Sequence, residues 1–159
     1  MPVLVVPRVL CFLLYEEDVL LLYGASDKPL WASRYNGIGG HVESGEDIYS
    51  AARREIEEEA GIPFADLRLR GVVHVAPEGD EPPVMMFVFT AQALSPFVRS
   101  SPEGTPVWVP QDMVGTLEGV VGDVPVLLEW ALNMQPDDPP FSAYSTRDEK
   151  GQILLTRGD

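Results

Sequence analysis

Cysteine and histidine are scarce in this 159-residue chain, which has one of the first and two of the second. The single thiol, Cys11, has no partner for an internal disulfide, and its apolar neighbours mark it as a buried strand thiol rather than a nucleophile. The expected setting is therefore reducing and cytoplasmic. Basic residues are also few: 11 Lys and Arg stand against 25 Asp and Glu, a net charge of −14. That balance opposes long nucleic acid, which is gripped through neutralised phosphates. A small anionic substrate stays compatible with it if a cation stands between ligand and acids. No stretch reaches the roughly 20 apolar residues that a membrane span needs. Residues 1–15 are apolar, but Pro7-Arg8 interrupts them and they have neither a basic start nor a small-residue cleavage site, so export and insertion are not expected.

What the chain does contain, 45% hydrophobic and 23% charged residues, suits one α+β domain over residues 1–159, with a mixed sheet and no disulfide or metal needed to hold its core. Residues 9–15 and 19–23 are β-prone apolar runs separated by Glu16-Glu17-Asp18, the pattern of a core hairpin. A polar loop with Pro29, Trp31 and Tyr35 leads over residues 24–36 to Gly37-Ile38-Gly39-Gly40, which reads as a turn or a point of close ligand approach. A helix is expected over 47–60, with Ser44 and Asp47 as a capping box and Gly61 as its stop. Strands follow over 67–75, 84–91 and 107–109, with an acidic, proline-rich loop over 76–83. A second helix over 124–134 and a closing hairpin over 141–156 complete the chain.

At about 100° per residue, Ile48, Ala51, Ala52, Glu55 and Glu59 share one narrow sector of the first helix, with Glu58 on its border. The face that ought to meet the sheet thus carries carboxylates among alanines. An unpartnered buried carboxylate costs several kcal/mol, so something positive must compensate them. Oxygen donors with no histidine or cysteine nearby suit Mg2+ or Mn2+ and not zinc; the alternative is a solvated acidic helix.

From Gly40 the chain runs five residues to Glu46, seven more to Arg54-Glu55-Ile56, then Glu57, Glu58-Glu59, Ala60 and Gly61-Ile62. This resembles the Nudix box at every defined position, a coincidence expected by chance on the order of once in 10^8 windows at typical residue usage. The resemblance implies an α/β/α sandwich and hydrolysis of a nucleoside diphosphate linked to another group, by water and with divalent cations. It implies Glu55, Glu58 and Glu59 as metal ligands, the Gly39 carbonyl as a further one, Arg54 as the residue that orients the carboxylates, and Glu46 as the tie between loop and helix. The attacking water also needs a base. A box glutamate or one of Glu78, Asp80 and Glu81 in the 76–83 loop is the candidate, with Glu81 the choice among the loop acids.

The residues entering the box, Tyr35-Asn36-Gly37-Ile38-Gly39-Gly40-His41, are similar to those of MutT-type members, which act on oxidised purine nucleoside triphosphates. That similarity points to Asn36 as a reader of the base and to Gly40 and His41 beside the phosphates. The closing Phe141-Ser142-Ala143-Tyr144 also resembles the tail of such hydrolases, which can carry paired aspartates that read the base before the last helix, and here that place holds Gly122-Asp123. Asp123 otherwise reads as a helix cap. Pro77 is instead a marker of ADP-ribose and nucleotide-sugar hydrolases, the second reading; a non-catalytic nucleotide-binding module is the third. The expected partner is a small nucleotide, and a homodimer is compatible with each reading. His74 reads as a half-buried strand residue, and residues 85–89 as core with a pocket wall.

Overall fold

The N-terminal apolar runs form β1 (Val6–Tyr15) and β2 (Asp18–Gly24), joined by a tight turn in which Glu16 takes a φ of 53°. The computed structural model describes residues 1–24 and 33–158, so the loop expected over 24–36, with Pro29 and Trp31, lies largely outside the described residues. The chain continues through β3 (Tyr35–Asn36), β4 (Ile38–His41), α1 (Ile48–Glu59), β5 (Phe64–Val75), β6 (Val84–Ala93) and β7 (Gly104–Pro110). A 3-10 turn (Gln111–Thr116), α2 (Val124–Leu132) and the hairpin of β8 (Phe141–Arg147) and β9 (Ile153–Gly158) follow.

Among the described residues the strands make one mixed sheet in the order β3-β2-β1-β6-β5-β8-β9, with β4 paired to β1 and β7 to β2. The β1–β6 and β5–β8 pairs are parallel and the others antiparallel. Helix α1 covers one face and α2 the other, which is the α/β/α sandwich. Because side chains along a strand alternate between faces, β1 divides its residues between two cores. Val9, Cys11 and Leu13 pack with Ala51, Ala52 and Ile56 of α1, while Leu10 and Phe12 pack with Val88, Leu127 and Phe141 on the α2 side. A strand covered on both faces needs an unbroken apolar run, and residues 9–15 supply it. Cys11 is fully buried, and burial pushes its thiol pKa upward, which keeps it inert.

The structure departs from the sequence reading in three places. Asp47 is itself the N-cap of α1: its Oδ1 accepts from the Ser50 N–H at 3.0 Å and its Oδ2 from the Ser50 hydroxyl at 2.7 Å, so the cap lies three residues beyond Ser44. Asp123 precedes α2 without a side-chain capping bond. Third, the glycine run is not a turn. Ile38–His41 is a strand whose Ile38, Gly39 and Gly40 face Cys11, Leu10 and Val9 of β1. Gly61 does end α1 as expected, with a φ of +64° and its N–H donating to the Ile56 carbonyl at 3.0 Å.

At Gly39 the missing side chain permits strand pairing, because a Cβ there would lie 2.2 Å from the Val9 carbonyl oxygen. Gly39→Ala is therefore expected to force β4 away from β1 and destabilise the protein by about 2 kcal/mol or more. Gly115→Ala meets nothing within 4 Å and should stay within about 0.5 kcal/mol of the parent. Thermal melts of both variants check the contrast, at roughly 2–4 °C per kcal/mol for a chain of this size.

Candidate active site

Helix α1 lies close to the sheet because its inner face carries Ala51 and Ala52, and one turn further on that same face presents Glu55 and Glu59. Both glutamates are buried, at 8% and 2% exposure. The carboxylate of Glu59 accepts from the Gly39 N–H at 3.3 Å. Gly40 makes room for the other, since a Cβ at Gly40 would lie 2.4 Å from Glu55 Oε1. Glu58 points outward, with its side chain 59% exposed.

Arg54 ties this end together. Its Nε and Nη2 donate to the two oxygens of Glu46, each at 2.8 Å, in a bidentate pair. Nη1 donates to Glu55 at 2.7 Å and more weakly to Glu58 at 3.4 Å, and Nη2 also reaches the His41 carbonyl at 3.0 Å. The guanidinium holds the Glu46 carboxyl down at about 2, and the acids in turn raise the pKa of Arg54. Glu59 moves the other way. Burial, then its hydrogen bond to Glu55 and the charge there, push its carboxyl up to about 10, and Glu103 adds to the repulsion. Among the described residues no three Asp, Glu, His or Cys side chains form a ready-made cation cage, since Glu58 is turned away beside Arg54.

A cleft of about 1050 Å³ opens in front of these carboxylates, and the metal-ligand, base-reading and phosphate-side residues expected from the sequence line it, together with Arg54 and Glu81, while Glu46 and Asp80 do not. It has two parts. The first holds the α1 acids with Gly39, Gly40 and the exposed His41. The second lies on the α2 face of the sheet, where Leu10, Met86 and Ser145 are overlooked by Asp123. Asn36 also lines the cleft; its Oδ1 accepts from the Gly37 N–H at 2.8 Å, which leaves its amide group to donate. Burial raises the pKa of Asp123, and the nearby Arg147 opposes that rise.

Glu81 lies exposed on the rim, where no side-chain bond ties it to the carboxylates of α1 among the described residues. Its neighbour Glu78 is held by Arg147 Nε at 3.0 Å, which joins the 76–83 loop to the closing hairpin. His74 is a half-buried strand residue edge-on to Tyr144, as its sequence context suggested, and is not part of the cleft wall.

Among the charged lining residues, Arg8, Arg34, Glu43, Glu103 and Arg147 escaped the sequence reading. Arg8 alone left a signal, a charged residue at the start of an otherwise apolar strand. Glu103 follows Pro102 in a turn with no periodic relation to α1, and nothing in its neighbourhood announces that it faces Glu59.

Comparison with known proteins agrees with this geometry. The NUDIX domain pattern matches residues 5–130. The chain is 29% identical to an oxidized purine nucleoside triphosphate hydrolase of Danio rerio over 107 residues, 67% of this chain and 69% of that protein. The Mus musculus protein of the same name is 28% identical over the same shares. In structure it is similar to a mutator MutT protein from Bacillus halodurans, with a TM-score of 0.77, 23% identity and coverage of 96% of this chain and 97% of that one. It is also similar to the NUDIX domain of Shewanella oneidensis NrtR complexed with ADP ribose, with a TM-score of 0.69, 16% identity and coverage of 81% and 87%.

The raised pKa of Glu59 has a stability consequence. In the metal-free protein the folded carboxyl keeps its proton after the unfolded chain has released it. The stability this group contributes is thus full below pH 4.5 and is lost as the pH climbs towards about 10. Glu59→Gln removes the ionisation, so melts in chelator should show the variant gaining on the parent between pH 5 and about pH 10. Parallel curves for parent and variant would show that Glu59 carries no such strain.

Proposed function

The chain belongs to the Nudix family and is a Nudix hydrolase, and from that premise we propose that it is a divalent-cation-dependent pyrophosphohydrolase of purine nucleoside triphosphates, oxidised or otherwise non-standard purines foremost. The observation that carries this reading is the pair of buried carboxylates, Glu55 and Glu59, lodged against Gly39 and Gly40 at one end of a nucleotide-sized cleft.

Nudix hydrolases in general use divalent metal ions, and the donors present here fit one. They are all oxygens, the space that a Cβ of Gly40 would fill is given to Glu55, and among the described residues no basic side chain bonds to Glu59. Glu55, Glu58, Glu59 and the Gly39 carbonyl would hold Mg2+ or Mn2+. When bound, the cation screens the phosphate oxygens and lowers the pKa of the attacking water.

The protein's own residues do the rest. Arg54 holds Glu55 in one rotamer and, through Glu46, pins the loop before α1 to the helix. A carboxylate takes the proton of the water as its oxygen bonds to phosphorus and the bridging P–O bond breaks, releasing monophosphate and pyrophosphate. Glu81 is the proposed base, and Glu103 beside Glu59 is the second candidate. Gly40 and His41 border the phosphate path. Asn36 donates to the base and Asp123 faces it on the α2 side. The buried, solitary Cys11 suits a reducing cytoplasm. ADP-ribose is the second substrate reading, supported by Pro77 in the cleft wall.

A panel of dGTP, 8-oxo-dGTP, dITP, dATP and ADP-ribose, assayed for pyrophosphate or phosphate release with and without Mg2+, tests the proposal. Turnover should require the cation and favour a purine triphosphate. Glu58→Gln and Glu59→Gln should each lower kcat by about 10²-fold or more while the variants still melt cooperatively. Undiminished turnover in both would remove the metal assignment, and tight binding without release of any product would leave a binding module.

A further inference from the structure

Arg8 is the odd residue of the cleft floor. It lies on β1 opposite Met86 of β6, and strand alternation puts it on the α2 face with Val6 and Leu10, away from the carboxylates of α1. The side chain is half-buried and lines the cleft. Among the described residues no hydrogen bond or ion pair engages its guanidinium. Glu78 is held by Arg147 at 3.0 Å, and the charge of Arg147 also acts on Asp123. A partly buried fork of N–H donors without an acceptor is an interaction reserved for a ligand.

The rest of that part of the cleft says which portion of the ligand reaches it. Met86 and Leu10 offer flat apolar surface suited to a ring, and Asn36, whose Oδ1 already accepts from the Gly37 N–H, has both N–H donors of its amide free to give. Phosphates belong at the other end, by the α1 acids. A guanidinium donates and never accepts, so the ring edge it meets must be built of acceptors. A 6-oxo purine presents O6 as an acceptor on that edge, joined by N7 where the ring is not oxidised at C8, whereas in an 8-oxo purine N7 carries a proton and O6 alone accepts from the arginine. A 6-amino purine points N–H donors at the same place.

Resting on the reading that the substrate is a purine nucleoside triphosphate, we propose that Arg8 is a specificity-determining residue that selects 6-oxo purines over 6-amino purines by donating to the O6 edge of the base.

The test compares kcat/KM for dGTP and dITP with that for dATP in the parent, Arg8→Gln and Arg8→Lys, with Mg2+ present. The parent should favour the 6-oxo nucleotides. Arg8→Gln, which brings an acceptor along with its donor, should narrow the 6-oxo to 6-amino ratio on the order of tenfold, chiefly by lowering the 6-oxo values. Arg8→Lys, still a pure donor, should keep most of the preference. A ratio unchanged in Arg8→Gln, or absent from the parent, overturns the assignment. An equal fall for all three nucleotides also overturns it, because it would put Arg8 on the phosphates that they share. Failure of the parent to turn over any triphosphate would instead strike the functional reading on which the assignment rests.

Discussion

Two carboxylates taken out of water side by side, Glu55 and Glu59, set the terms for everything packed around them. Burial of one such group already costs several kcal/mol, and two together repel. The surrounding structure answers each part of that penalty. Gly39 offers a backbone N–H to Glu59, Gly40 gives up its side chain to admit Glu55, and Arg54 brings the only guanidinium bonded to the cluster among the described residues. Arg54 is in turn held by Glu46 and by the His41 carbonyl, so the loop before α1 has its shape because the arginine needs fixing. Even so, Glu59 is left with a carboxyl pushed up to about 10. An apolar side chain there would carry no such cost, and a cation held as proposed would relieve it.

The sheet divides the labour. On one face of β1, Val9 and Cys11 seat the helix that carries the acids; on the other, Arg8 and Leu10 floor the part of the cleft that Asp123 overlooks. One strand of alternating direction thereby joins the proposed chemistry to the proposed recognition without any side chain serving both. The parallel β1–β6 pairing extends the division by setting Met86 beside Arg8 and Phe87 beside Val9.

Much of this was legible in the sequence because local rules and global packing agree. The unbroken apolar runs of β1 and β2, the acidic loop before β6 and the glycine that stops α1 all lie where their chemistry puts them. The helix with glutamates on its inner face was visible from angular spacing alone, and burial of Glu55 and Glu59 but not Glu58 follows the small offset of Glu58 from that sector. The misread parts depend on partners distant in the chain. Gly37-Ile38-Gly39-Gly40 has the composition of a turn, and only the presence of β1 and the Glu55 carboxylate makes its glycines strand residues. Ser44 has the right type for a cap, but Asp47 reaches the free N–H of Ser50 first. Glu103 and Arg147 enter through turns and hairpins whose placement no periodicity encodes.

Charge sets the final constraint on how such a cleft is used. The chain carries a net −14, and in the cleft itself Glu43, Glu55, Glu58 and Glu59 crowd one end with Arg54 already committed to them. A bare triphosphate approaching that end meets repulsion from every side chain not yet neutralised, and low-dielectric walls strengthen it. Arg8 lies on the other face of β1, where no acid pairs with it among the described residues. The donor that seeks an acceptor and the positions that demand a cation are thus separate. A ligand satisfies both only if it is long enough to span them, with a donor-seeking group at one end and a phosphate chain that shares cations with carboxylates at the other. The proposed nucleoside triphosphate has that form. Inorganic pyrophosphate has the second half alone and leaves Arg8 without an acceptor, so on the proposed reading the spacing of these groups favours the whole nucleotide.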